Sequence, residues 1–382
     1  MSAASMTSLP ELRAQLKSAF VGRDSEIDGL LTAVIARTHL LLLGPPGTAK
    51  SLLTNVFADA LSGEYFELLF AKQTTPDEVF GGIDIQSLEE GKGVKRDTRG
   101  MMPEAHVAFL DEVFKANSAI LNSLLGLLNE RKWRNYGGAV QKCPLQICVG
   151  ASNEYPADSS LEALYDRFQL RFWTEYVPTR SQRLKLLNCP DPASVVTAKL
   201  SMADIATLQV MCKTVEVPPS VQELLLDVQE VMAREHGIVV SDRRLRQSIR
   251  LIQATALLNG RNKAEARDLI VLADSLWHRH DQRPAVLGSV LTVAAPDLQK
   301  AMAHADAAHE AYSDVVWSDK SSMQKALGII RTCKFEIDTL CDLTGLDPDI
   351  SHQQSIVMKM MDEIGLAYQE INRRERQAQR RA

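Results

Sequence analysis

The run Leu40-Leu-Leu-Leu-Gly44-Pro45-Pro46-Gly47-Thr48-Ala49-Lys50-Ser51 restricts this chain more than any other stretch. Four consecutive leucines predict a strand buried on both faces of a parallel sheet. The glycines and prolines after it predict a sharp turn whose N–H groups converge ahead of a helix. Such a concavity, with a helix dipole behind it, binds phosphate oxygens. At this spacing Lys50 reaches the β- and γ-phosphates and Ser51 is placed to ligate Mg²⁺. The pattern ordinarily carries glycine where this chain has Ala49, and alanine is expected to take helical dihedrals there.

Two further segments agree with that reading. Val107-Ala-Phe-Leu-Asp111-Glu112 is an apolar strand ending in two carboxylates, and Leu145 to Asn153 is a strand ending in an amide. Ligands of open α/β sheets bind outside the carboxyl ends of the strands. Asp111 suits a water-mediated Mg²⁺ contact, Glu112 can polarise an attacking water, and Asn153 can orient it. Taken singly, each such end is more often a turn or helix cap.

The chain resembles the AAA+ ATPases of the MoxR group, and within it the RavA-like members. The resemblance is carried by Phe20-Val-Gly-Arg-Asp-Ser-Glu26, the phosphate loop, Thr75 to Gly81 and Phe109 to Asn117. It continues through Leu121 to Leu125, Leu128 to Arg131, Ala151 to Glu154, Ser159 to Phe168 and Val240 to Arg244, spanning about residues 20 to 280. It implies an α/β P-loop AAA+ core with a parallel sheet (1–188), a helical lid (189–283) and a helical C-terminal extension (284–382). It implies ATP and Mg²⁺ as cofactors, a homo-hexameric ring, and chaperone-like remodelling of a partner that bears a von Willebrand factor A domain. Phe20 and Val21 are placed beside adenine, Gly44 to Ser51 with Leu52 and Asp111 around the phosphates, and Arg243 toward phosphate from the lid. Arg167 is placed near the γ-phosphate of a neighbouring subunit, with Arg171 as rival one helical turn on. An intrasubunit bridge from Arg167 to Asp166 or Glu162 is the plainer alternative.

Composition sets outer limits. Of 382 residues 45% are hydrophobic and 24% charged, the balance of a globular protein with room for several domains. The net charge of −5 gives no general field toward nucleic acid or membrane. It therefore counts against the competing reading, an ATP-dependent nucleic-acid motor or loader. The six cysteines lack zinc-type spacing and read as reduced thiols. No segment is suited to secretion or to spanning a bilayer, so a cytoplasmic protein is expected.

Periodicity supplies the rest. Leu9, Leu12 and Leu16 predict a helical face, residues 76–103 a glycine-punctuated hairpin, and Tyr136-Gly137-Gly138 a second hairpin. Asp158 is a candidate helix cap, and Phe172 to Val177 is expected to be the fifth strand. Four lid helices follow (202–212, 220–236, 242–259 and 264–280), with Ser241 capping the one that carries Arg243 and Arg244. Beyond Pro284 three helical faces are expected, one of them placing His309 toward a core. Gly345 stops a helix, and a basic tail ends at Arg380-Arg381.

Overall fold

The computed structural model describes residues 3–91, 93–136, 140–156, 159–344 and 347–379. Gly137, Gly138, Asp158, Gly345, Arg380 and Arg381 lie outside the described residues. The chain forms two compact units, Met1–Val286 and Leu287–Ala382.

The first unit is built on β1 (His39–Leu43), β2 (Tyr65–Leu69), β3 (Val107–Asp111), β4 (Lys132–Arg134), β5 (Val140–Lys142), β6 (Ile147–Ser152) and β7 (Phe168–Trp173). Five of these form a sheet in the order β2-β3-β6-β1-β7, every neighbouring pair parallel. β4 and β5 pair separately as an antiparallel ribbon. Of the three interior strands, β1 and β6 are buried at every position and β3 at all but Asp111, as their largely small and apolar runs require. The edge strand β7 starts four residues earlier than Phe172. Phe168, Leu170 and Phe172 are its buried apolar residues, Arg171 between them is buried as well, and the chain has left the strand by Thr174.

Helices α1 (Ala3–Ala19) and α2 (Asp24–Ala36) precede the sheet, and α3 (Lys50–Ala60) follows β1 directly. The 76–103 stretch is not a regular hairpin. It holds two short helices, α4 (Pro76–Phe80) and α5 (Ile85–Glu89), and one isolated antiparallel bridge between Ile83 and Arg96. Then come α6 (Ser118–Glu130), α7 (Ser159–Tyr165), α8 (Arg180–Leu187) and α9 (Pro192–Val195). The lid contributes α10 (Met202–Thr214), α11 (Pro219–His236) and α12 (Asp242–Leu258). Its expected fourth α-helix is instead a 3₁₀ segment, Ala266–Asp274. There the chain winds around the buried Asp268 carboxylate, which takes two N–H groups of Arg261 and the Glu265 N–H.

Helix α13 (Arg283–Ala294) spans the division between the units. In the second unit α14 (Pro296–Ser313), α15 (Lys320–Thr344) and α16 (Pro348–Gln379) pack pairwise into a three-helix bundle. Ala326, Ile330, Cys333, Ile337 and Leu340 are buried along α15, as their spacing predicts. On α14 the buried face runs through Leu298, Ala301, Ala305 and Ala308. That stripe turns His309 outward, so the expected core histidine is exposed.

Candidate functional site

The loop after β1 is shaped by three left-handed residues. Gly44 has φ 133°, Gly47 φ 76° and Ala49 φ 65°. A Cβ on Gly44 would sit 2.2 Å from the Thr174 carbonyl oxygen, so the tight exit from β1 admits glycine alone. Ala49 does not take helical dihedrals. It occupies the left-handed region before α3, at a cost of roughly 1–2 kcal/mol for a residue with a Cβ.

Side chains brace this loop from outside. Arg23 donates to the carbonyls of Thr48 (3.2 Å), Gly22 (2.9 Å) and Glu175 (2.7 Å), and the Tyr176 hydroxyl donates to the Pro46 carbonyl (3.0 Å). Lys50 Nζ donates to the carbonyls of Gly44 (2.6 Å) and Pro45 (3.0 Å) and to Asn153 Oδ1 (3.2 Å). Burial pushes the Lys50 pKa below the usual lysine value, while the carboxylates of Asp111 and Glu112 oppose that shift.

The parallel register brings the ends of β1, β3 and β6 to one edge. Asn153 Nδ2 donates to Glu112 Oε1 at 2.8 Å, and Lys115 Nζ lies 3.4 Å from Glu112 Oε2. Glu112 itself sits at φ 51°, and its N–H donates to Asp111 Oδ1 at 2.9 Å. A bulky residue held in that region is the kind of local strain that gathers at working sites. Lys50, Asn153 and Glu112 thus form a continuous hydrogen-bonded chain.

Beside the loop lies a cavity of about 330 Å³ whose walls include Phe20, Val21, Thr48, Leu52, Tyr176 and Pro190. Its largely apolar lining next to a turn of backbone N–H groups fits a flat base with phosphates attached.

Arg167 and Arg243 stand elsewhere. They line a second cavity, of about 150 Å³, together with Arg37, Arg131, Thr38 and His39. Thr38 and His39 mark the amino end of β1, whereas Gly44 marks its carboxyl end. The strand separates the two places by roughly 17 Å at ~3.3 Å per residue. Arg243 therefore does not approach the phosphate loop of its own chain. Its guanidinium donates to Asn129 Oδ1 at 3.0 Å. Nor is Arg167 free to point outward: its side chain is 16% exposed and lies 3.5 Å from Asp166. Arg244, by contrast, is buried on Asp166 (2.9 Å) and the Ser275 carbonyl (2.5 Å). The expected rival Arg171 belongs to β7 rather than to a helix, and it is fully buried. It donates to the carbonyls of Phe168, Tyr165 and Trp277 and stacks on the Tyr165 ring, a framework role, and its burial keeps it out of reach of a partner.

Sequence reasoning did not single out Arg23, Tyr176 or His39. Arg23 lies inside the Phe20–Glu26 motif, but its contact to the Glu175 carbonyl spans 152 positions and has no local signature. His39, buried in the strand, donates from Nε2 to the Leu128 carbonyl and accepts the Cys148 N–H on Nδ1. This tautomer follows from a backbone N–H that can only donate. Among the described residues there is no cluster of three or more His, Cys, Asp or Glu side chains that would cage a metal, and no helix long and apolar enough to cross a membrane.

A five-stranded parallel sheet, a glycine-shaped loop into α3 and a helical lid define the AAA+ class of P-loop proteins. A family model described as the MoxR domain in MoxR-vWA-beta-propeller ternary systems matches residues 7–209, and an AAA lid domain model matches residues 220–290. The chain belongs to the MoxR family of AAA+ ATPases. An uncharacterized protein of Methanocaldococcus jannaschii is 38% identical over 272 residues, 71% of this chain and 70% of that protein. Chaperone MoxR1 of Mycobacterium tuberculosis is 25% identical over 285 residues, 69% and 73% of the two chains. A crystal structure from Cytophaga hutchinsonii shares the fold with a TM-score of 0.61 at 19% identity, covering 76% of this chain and 94% of that one.

Proposed function

We propose that the Lys50–Asn153–Glu112 chain is the hydrolytic centre of a Mg²⁺-dependent ATPase that remodels or activates a partner protein. The observation that carries this reading is the hydrogen-bonded continuity of those three side chains at the strand ends. Adenine occupies the cavity against Phe20, Val21 and Leu52, and the backbone from Gly44 to Ala49 holds the phosphates. Lys50 exchanges its carbonyl partners for phosphate oxygens. Asn153 orients the attacking water and Glu112 polarises it. Ser51 and Asp111 are hard oxygen donors too few for an all-protein cage, which suits Mg²⁺ keeping its waters. Bound there, the ion supplies charge neutralisation at the phosphates.

Arg167 and Arg243 act on the nucleotide of a neighbouring subunit, because their cavity lies at the opposite end of β1 from their own loop. That geometry supports a ring, for which we propose six copies. The resemblance carried by the motifs between about residues 20 and 280 supports the RavA-like branch, and the matched family description supports a partner with a vWA domain. A cytoplasmic protein divided at 188 and 283, with nucleic acid not its substrate, completes the reading. The net charge of −5 supports the last point.

Steady-state ATP turnover and nucleotide affinity of two variants test it. Glu112→Gln retains ATP binding and loses hydrolysis by about 10²–10⁴-fold. Lys50→Ala weakens nucleotide binding itself. Turnover at the parent rate in Glu112→Gln removes Glu112 from the centre. DNA that stimulates turnover in a salt-sensitive way moves the protein into the nucleic-acid class.

A further inference from the structure

The segment 275–280 receives side chains from three elements of the first unit and from the loop after β6. Arg244 of α12 donates to the Ser275 carbonyl (2.5 Å) and Arg171 of β7 to the Trp277 carbonyl (2.5 Å). Tyr165, the last residue of α7, donates to the His278 carbonyl (2.5 Å). Tyr155, two residues beyond Asn153, completes the set. Its hydroxyl accepts the His280 N–H at 2.8 Å and lies 2.9 Å from His280 Nδ1. With the imidazole proton on Nε2, the phenol O–H donates to Nδ1, so donor and acceptor capacities are both used. Ring contacts reinforce the join. Trp173 stacks on His280 at 4.1 Å and on Tyr155 at 6.3 Å, and Arg279 lies over the Tyr155 ring at 5.7 Å.

Both ends of this arrangement lead to working residues. On one side the chain runs from Tyr155 back through Glu154 to Asn153, whose amide touches Glu112 and Lys50. On the other, Tyr165 is followed by Asp166, which pairs with Arg244, and by Arg167. The segment from Ser275 to His280 is therefore a strap that fixes the Asn153 loop and the Arg167 turn to the same backbone.

We propose that Tyr155 is a positioning residue for hydrolysis: through its paired hydrogen bonds to His280 it holds Asn153 where the amide meets Glu112, and the strap ties that position to Arg167. The proposal rests on the hydrolytic reading of Asn153 and Glu112. Tyr155→Phe is the informative change, since it keeps the ring and its stacking and removes only the hydroxyl. A misplacement near 1 Å of an orienting group costs about 10- to 100-fold in rate. Tyr155→Phe in the full chain is accordingly expected to lower kcat within that range while leaving KM and ADP affinity at parent values, with only a modest fall in melting temperature from the two lost hydrogen bonds. His280→Phe keeps a stacking ring on Trp173 and the backbone N–H that the Tyr155 hydroxyl accepts, so it removes only the Nδ1 partner and should lower kcat by no more than Tyr155→Phe does. The double variant should then be no slower than the worse single one.

Parent kcat in Tyr155→Phe overturns the proposal. So does a fall confined to melting temperature, or multiplicative losses in the double variant. A parent protein without turnover, or a Glu112→Gln variant as active as the parent, overturns the underlying reading instead, so the two failures are separable.

Discussion

The Asn153 side-chain amide donates to Glu112 Oε1 at 2.8 Å, and its oxygen accepts from Lys50 Nζ at 3.2 Å. One neutral residue thus sits between the acid and the cation, sharing each of its two functional ends with one of them. Asn153→Ala removes both contacts at once without altering the charge of the site. The expected result is a fall in kcat of about 10²-fold with ADP affinity changed far less, since the phosphate cradle is backbone. Isothermal titration with ADP alongside steady-state turnover checks it. A large loss of affinity with kcat retained would assign Asn153 to binding.

Ala49 offers a stability gain. Its φ of 65° is one that glycine adopts freely and alanine does not. Ala49→Gly should stabilise the first unit by up to ~1 kcal/mol, the relief of left-handed strain less the added freedom of the unfolded chain. Urea unfolding measures it. A destabilised variant would mean that the loop does not hold this dihedral in solution.

Arg167 and Arg171 should respond to mutation in opposite ways. Arg171→Ala strands three buried carbonyls and is expected to cost about 3 kcal/mol or more in stability. Arg167→Ala should leave the melting temperature near that of the parent and reduce turnover by ~10³–10⁵-fold, as loss of a phosphate-facing arginine does elsewhere. Mixing Arg167→Ala with Glu112→Gln then tests action between subunits. Some interfaces regain an intact Glu112 facing an intact Arg167, so activity should partly return. Mixed rings that stay inactive, verified by native mass spectrometry, count against the trans role. Arg243→Ala in place of Arg167→Ala should behave alike.

His39 makes stability depend on pH. Burial, with the Arg131 charge nearby, holds its pKa down to about 3 against an ordinary 6.5. The folded chain keeps it neutral while the unfolded chain protonates it below pH 6.5. Its contribution is thus fully present above that pH and is lost as pH falls through the window from 6.5 toward 3, at up to ~1.4 kcal/mol per unit. Urea midpoints at pH 7, 6 and 5 should show this slope, and His39→Asn should flatten it. An equal slope in the variant would place the effect on other groups.

The sequence by itself determined the sheet interior, the loop and the gathering of Lys50, Glu112 and Asn153 at the strand ends. Leu40–Leu43 has no polar residue to face water, so it had to be an interior strand. Lys50, Glu112 and Asn153 each follow such a run within a few residues, and a parallel register gathers strand ends whatever the loops do. The buried helical stripe of α15 was equally plain, because its apolar spacing has one solution.

Only the tertiary structure decided what depends on contacts remote in the chain. Ala49 is left-handed because the turn out of β1 needs positive φ, and nothing in an alanine announces it. β7 begins at Phe168, placing Arg171 inward on three carbonyls, where a reading by helical period places it outward. The separation of Arg243 from Lys50 follows from which end of β1 the lid meets. No local pattern encodes that distance, because it is set by packing among residues more than a hundred positions apart.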